Sequence, residues 1–172
     1  MSSPALFLDR DGTLIADPGY LRDPDEVVLL PGCAHVLREA KRRGYRLIIV
    51  SNQSGVGRGY YDEATLHRVQ GRVDDLFDAE GVRFDGVYFC IHAPDAGCEC
   101  RKPRPGMLLR AGRELDVDLA RSVMIGDKIS DLEAGKNAGC GSLVLIALEH
   151  ADATLNAKTW AEIGQWLEAR SP

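Results

Sequence analysis

Apolar residues gather in five short runs along the chain: Ala5–Leu8, Leu47–Val50, Val87–Phe89, Val123–Ile125 and Leu143–Ile146. Runs of this length, mostly aliphatic or β-branched, read as strands buried on both faces of a parallel sheet. Helical spacing fills the intervals between them. Ala34–Lys41 sets Val36, Leu37 and Ala40 on one face, and Gly44 closes it. Asp62–Glu80 aligns Leu66, Val69, Val73, Leu76 and Phe77 before a stop at Gly81. Pro105–Leu115 opens on proline and turns Met107, Leu108 and Ala111 inward. Ser130–Ala138 carries Ser130 and Glu133 at capping-box spacing and ends at Gly139. Near the end, Trp160, Ile163, Trp166 and Leu167 describe one more amphipathic helix, with both tryptophans reading as core.

Strands alternating with helices predict an α/β fold, a Rossmann-like parallel sheet of five strands with helices on both faces. The segments between Thr13 and Ser51 and between Gly55 and Cys90 are filled by their helices, so no large cap domain is expected. No repeat, low-complexity tract or linker divides the chain, and residues 1–172 read as a single domain. Sheets of this kind bind ligands beyond the carboxyl ends of their strands. Asp9, Ser51-Asn52, Cys90 and Gly126-Asp127 follow four of the runs, which places all of them on that one edge.

The net charge of −5 disfavours a protein built to coat nucleic acid or an anionic membrane. No apolar run approaches the ~18 residues of a membrane span, and Asp9, Arg10 and Asp11 interrupt the N-terminal run at once. A cytoplasmic protein is expected. Three of the five cysteines fall within eleven positions, which in a reducing compartment suggests a metal site over disulfides. Cys33 and Cys140 stand alone and read as small buried hydrophobes.

The chemistry begins at Asp9-Arg10-Asp11-Gly12-Thr13. In an extended segment the two carboxylates share a side and Arg10 points away. Such a pair repels unless a cation intervenes, which predicts bound Mg²⁺, and Gly12-Thr13 offers backbone N–H groups to a phosphate. An Asp-Gly surface turn is the plain alternative. Gly126-Asp127-Lys128 with Asp131 adds carboxylate at the same edge, Asp127 as a direct ligand and Asp131 behind it. Ser51-Asn52-Gln53-Ser54 supplies hydroxyl and amide groups there. Arg101-Lys102 supplies two cations, where a solvated basic pair is the plain alternative. A phosphate monoester repels a carboxylate nucleophile, so a metal ion and a lysine must offset its charge. Cys90-x-His92, then five residues, then Cys98-x-Cys100 brings three thiolates and an imidazole together, a set that suits tetrahedral Zn²⁺. The spacing is tighter than the usual C-x₂-C knuckle, and incidental thiols are the alternative. With no ligand position left over for water, the zinc would be structural. His35, His67 and His150 have no such partners and read as surface residues.

FLDRDGTL, SNQSG, CxH…CxCRKP and GDKxxD, in this order over most of residues 5–146, resemble the haloacid-dehalogenase superfamily of phosphatases. Within it the likeness is to the group that hydrolyses heptose bisphosphate and histidinol phosphate. The resemblance implies phosphoryl transfer in two steps. Asp9 would attack phosphorus and become an aspartyl phosphate. Asp11 would protonate the leaving alcohol and then deprotonate water. Asp9, the backbone carbonyl of Asp11, and Asp127 would hold Mg²⁺. Ser51 and Lys102 would steady the transferring group and Arg101 would take part in substrate recognition. Asp17, Pro18, Gly19, Tyr20, Asn52, Gln53, Ser54 and Lys128 would line the substrate.

Two small phosphate esters compete as substrate. Asp17-Pro18-Gly19-Tyr20, the Gly55–Gly59 segment and Arg101–Met107 favour removal of the 7-phosphate of D-glycero-D-manno-heptose 1,7-bisphosphate, a step toward nucleotide-heptoses. Basic residues at 58, 101 and 128 suit its second phosphate. The anomer would decide whether the product feeds lipopolysaccharide or another glycan. The five-residue zinc spacer and Thr154-Leu155-Asn156 favour histidinol phosphate. A zinc-stabilised binding module without turnover is the reading from another class, and the presence of both Asp9 and Asp11 counts against it. A monomer is expected.

Overall fold

A computed structural model describes residues 2–170. Six strands form one sheet: β1 (Ala5–Leu8), β2 (Arg46–Asn52), β3 (Gly86–Cys90), β4 (Val123–Gly126), β5 (Ser142–Ile146) and β6 (Leu155–Ala157). They lie in the order β3-β2-β1-β4-β5-β6, every neighbouring pair parallel. The sheet thus has six strands where five were expected. β6 escapes the apolar pattern because it is a three-residue edge strand whose Asn156 is exposed and Leu155 half-buried. The strand order reverses between β1 and β4, which puts the ligand crevice of this topology beside Asp9.

Alternate residues of each strand feed opposite faces of the sheet. Leu6, Leu8, Leu47, Ile49, Val123 and Ile125 pack on one side with α1 (Cys33–Arg42), α3 (Glu63–Ala79) and α6 (Trp160–Glu168). Ala5, Phe7, Ile48, Val50 and Met124 pack on the other with α4 (Gly106–Glu114) and α5 (Ile129–Ala138). A short helix, α2 (Ser54–Gly57), follows β2. Among the described residues, only a turn at Pro24–Glu26 and α1 separate β1 from β2, and only α2 and α3 separate β2 from β3. No helix among them is long and apolar enough to cross a membrane.

The starts of α1, α3, α4 and α5 each lie one residue from the pattern reading, and at two of them the cap differs. Pro105 precedes α4 as its N-cap, so the helix begins at Gly106. At α5 the cap is Lys128, not Ser130: the Asp131 carboxylate accepts the Lys128 backbone N–H at 3.0 Å, the part assigned to Glu133, and the lysine side chain has no acceptor to return the bond. Cys33 is buried as expected, whereas Cys140 is half-buried. His35 and His67 are exposed and His150 is half-buried.

Candidate active site

Asp9 leaves β1 at the switch point, its backbone N–H bonded to Ile125 of β4 at 3.0 Å. Asp9 is 5% exposed, and its carboxylate accepts from the Lys102 ammonium at 2.7 Å. Lys102 is equally buried. It donates also to Asp131 at 2.7 Å and to the Val50 carbonyl at 2.8 Å, so its three protons are all used. A buried lysine sheds its charge unless it is paired. Here burial pulls the ammonium down, but Asp131 and Asp9 outweigh it and hold its proton more tightly than usual. Burial pushes the Asp9 carboxyl well above the usual range; Lys102 pulls it down, and Asp131 and Asp127 push it up. Asp127 is likewise raised, chiefly by burial, with Lys128 opposing.

Asp9, Asp127 and Asp131 bring carboxylate oxygens within 4.8 Å of one another. One buried ammonium faces three carboxylates, which leaves an excess of negative charge. Asp131 is spent on Lys102 and on the Lys128 N–H. Asp127 Oδ1 is buried with no hydrogen-bond partner, a costly state that a bound cation would relieve. A hard divalent ion such as Mg²⁺ fits Asp9 and Asp127 as direct ligands, with Asp131 behind them. Gly12 keeps this arrangement open: its φ is +86°, and a Cβ there would lie 2.3 Å from Asp127 Oδ2.

Asp11 does not join that cluster. Arg10, fully buried, does not point away but folds back onto it. Its Nε and Nη2 donate to the two Asp11 oxygens at 2.9 and 3.2 Å, while Nη1 lies 3.5 Å from Gln70 and the guanidinium lies over the Phe89 ring. Gln53 adds a third donor to Asp11 at 2.6 Å. The cation that offsets the Asp11 charge is therefore Arg10. The repulsion expected between Asp9 and Asp11 is relieved by two separate partners.

β2 ends in residues that hold one another. Gln53 also donates to Ser51 Oγ at 2.9 Å and accepts the Tyr61 hydroxyl at 2.8 Å. Asn52 makes a reciprocal pair with the Lys102 backbone, accepting its N–H and donating to its carbonyl, both at 3.1 Å. The bond from Tyr61 to Gln53 depends on the turn after α2, which the sequence pattern does not reveal. Trp160 was read as core; it is buried, and its indole N–H also donates to the Thr13 carbonyl at 2.7 Å.

These groups open onto a cleft of about 500 Å³. Asp9, Asp11, Asp17, Gly19, Tyr20, Ser51, Asn52, Gln53, Ser54, Arg101, Lys102, Lys128 and Asp131 all line it. Pro18 lies between two lining residues without lining the cleft itself. Arg58 caps α2 and does not line the cleft, so only Arg101 and Lys128 of the three basic positions face it. Arg101 Nη1 is buried without a partner, and Lys128 lies 3.7 Å from Asp17.

Beside the cleft the four candidate zinc ligands converge. Cys90 Sγ lies 3.6 Å from both Cys98 Sγ and His92 Nδ1, and His92 Nδ1 lies 3.2 Å from Cys100 Sγ. Zinc–sulfur bonds of about 2.3 Å in a tetrahedron require S···S edges of about 3.8 Å, so the set fits Zn²⁺. Backbone bonds tie this loop to the catalytic edge: Gln53 N–H to Cys90 at 2.7 Å and Gly57 N–H to Ile91 at 2.8 Å.

The chain is similar to known proteins in sequence and in fold. The model of the haloacid dehalogenase-like hydrolase family matches residues 16–139. The chain is 44% identical over 150 residues to the D-glycero-beta-D-manno-heptose-1,7-bisphosphate 7-phosphatase of Photorhabdus laumondii, covering 83% of this chain and 80% of that protein. It is 43% identical over 153 residues to the corresponding alpha-heptose enzyme of Burkholderia mallei, covering 85% and 81%. The crystal structure of D,D-heptose 1,7-bisphosphate phosphatase from B. bronchiseptica, complexed with magnesium and phosphate, superposes with a TM-score of 0.87 at 30% identity, covering 96% of this chain and 98% of that one. The chain belongs to the haloacid dehalogenase-like hydrolase family.

Proposed function

We propose that this phosphatase removes the 7-phosphate of D-glycero-D-manno-heptose 1,7-bisphosphate, a step toward nucleotide-heptoses. The observation that carries the reading is the similarity over four-fifths of the chain to heptose-bisphosphate phosphatases. The cleft supports it, since Arg101 and Lys128 offer cationic groups beyond the buried Asp9–Lys102 pair. Near-equal identity to an alpha and a beta enzyme leaves the anomer to be measured.

Asp9 is the nucleophile, presented at the strand end with Lys102 fixing one of its oxygens. Attack forms the bond from Asp9 oxygen to phosphorus as the bond to the sugar oxygen breaks. Asp11, oriented by Arg10 and Gln53, gives the sugar oxygen its proton and then takes one from the water that cleaves the aspartyl phosphate. Ser51 and Lys102 hold the transferring group and Arg101 the substrate. Asp9, Asp127 and the Asp11 carbonyl would hold Mg²⁺, which supplies charge neutralisation of the phosphate when bound. Cys90, His92, Cys98 and Cys100 would hold Zn²⁺ and keep the Lys102 segment in place. The working unit proposed is a single-domain monomer acting on a small sugar phosphate, without nucleic acid or membrane as partner. The test is kcat/KM for both anomers of the bisphosphate against histidinol phosphate. A strong preference for the bisphosphate is expected, and a preference for histidinol phosphate would overturn the reading.

A further inference from the structure

Among the described residues five large hydrophobic side chains are well exposed, and the only two aromatic ones, Tyr20 and Tyr60, touch each other. They are 48% and 49% exposed. Their ring centroids lie 4.8 Å apart at 90°, an edge-to-face contact. Tyr20 lines the catalytic cleft. Tyr60 lines an open basin of about 830 Å³ next to it, and Tyr61 lines both. The pair therefore stands where the two spaces meet.

Both rings are held there. Tyr20 has φ +48°, a left-handed backbone that a residue with a side chain adopts only at a cost. The preceding turn is fixed by the Gly19 N–H on the Asp17 carboxylate at 2.9 Å, and Asp17 faces Lys128. The Tyr60 N–H donates to the Gly55 carbonyl at 2.8 Å, which anchors it to α2. Two exposed aromatics, on separate loops beside a polar phosphate cleft, provide an apolar surface covered only by each other. The C–H face of a polyol chain is a ligand such a surface would hold.

We propose that Tyr60 is a specificity-determining residue: with Tyr20 it forms an aromatic clasp that grips the carbon chain of the sugar phosphate beyond the reacting group. This assignment rests on the sugar-phosphate reading above and adds Tyr60 as an individual residue of the turn after α2. The clasp acts on binding of the sugar and leaves the phosphate cradle untouched.

The experiment measures kcat and KM for heptose 1,7-bisphosphate, with inhibition by inorganic phosphate as the probe of the cradle alone. Tyr60→Ala is expected to raise KM about tenfold, the scale of one lost aromatic contact, with kcat and phosphate inhibition within about twofold of wild type. Tyr60→Phe keeps the ring and should bring KM back near the wild-type value. Tyr20→Ala should raise KM similarly, and the double variant should fall short of the product of the two effects, as expected of residues in contact. An unchanged KM in Tyr60→Ala, or a KM that moves together with phosphate inhibition, would overturn the clasp while leaving the substrate reading standing. A wild-type enzyme inactive on the bisphosphate would overturn the substrate reading and the clasp with it.

Discussion

Asn52 was expected to contact substrate, yet its amide is spent on the Lys102 backbone, accepting the N–H and donating to the carbonyl, both at 3.1 Å. Asn52→Ala removes both bonds. At about 1 kcal/mol net per bond the loss is about 2 kcal/mol, which for a chain of this size lowers Tm by about 4–8 °C. The larger effect is on geometry. Lys102 reaches Asp9, Asp131 and Val50 together only from its present backbone position. A shift of about 1 Å in a positioned group costs up to about a hundredfold in rate. We expect kcat to fall tenfold to a hundredfold, equivalent to about 1.4–2.8 kcal/mol of barrier, with KM within about twofold. Thermal unfolding at fixed Mg²⁺ and Zn²⁺ and steady-state phosphate release test both. Asn52→Asp, which can still accept the Lys102 N–H, should lie between Ala and wild type. A raised KM with kcat and Tm unchanged would refute the reasoning and return Asn52 to the substrate.

Three further outcomes follow from the site. Mg²⁺ at about a hundredfold its Kd should stabilise the wild type by about 2.7 kcal/mol, and Asp127→Asn should abolish that shift in a melting experiment; an undiminished shift would place the ion elsewhere. Stripping zinc with a chelator should lower Tm by about 10 °C or more and cut activity, both restored by Zn²⁺ and not by Mg²⁺. Freshly purified protein that holds no zinc and melts unchanged after chelation would count against the structural site. Trp160→Phe keeps most of the packing but strands the Thr13 carbonyl, so unfolding should be easier by about 1–3 kcal/mol and kcat lower, and a neutral variant would mean that this bond does not hold the catalytic turn.

What the sequence revealed and what it hid divide along physical lines. Five strands were legible because their residues are apolar on both faces; β6 was hidden because a short edge strand with an exposed Asn156 has no such signature. The gathering of Asp9, Asp127 and Cys90 was legible because strand ends in this topology share an edge, whereas Lys102 and the Cys/His cluster were legible only as residue types and spacings. The partner of Asp11 was not, because Arg10 turns back through contacts with Gln70 on α3 and Phe89 on β3, each more than fifty residues away. Arg58 differs for a related reason: its charge is visible in the sequence, whereas the end of α2 that leaves it outside the cleft lining is not. The polar bonds of Tyr61 and Trp160 were hidden because one hydroxyl finds the Gln53 side chain across the turn after α2 and one indole N–H finds the Thr13 carbonyl far along the chain.

The central claim is that Asp9 carries hydrolysis of the 7-phosphate of a heptose bisphosphate, and phosphorus NMR of the turnover tests it most directly. The wild type should release one equivalent of inorganic phosphate and leave heptose 1-phosphate. Asp9→Asn, folded by circular dichroism, should be slower by about a thousandfold or more, because one carboxylate carries the covalent step. Loss of the 1-phosphate instead, or an Asp9→Asn protein that keeps its activity, would contradict the account.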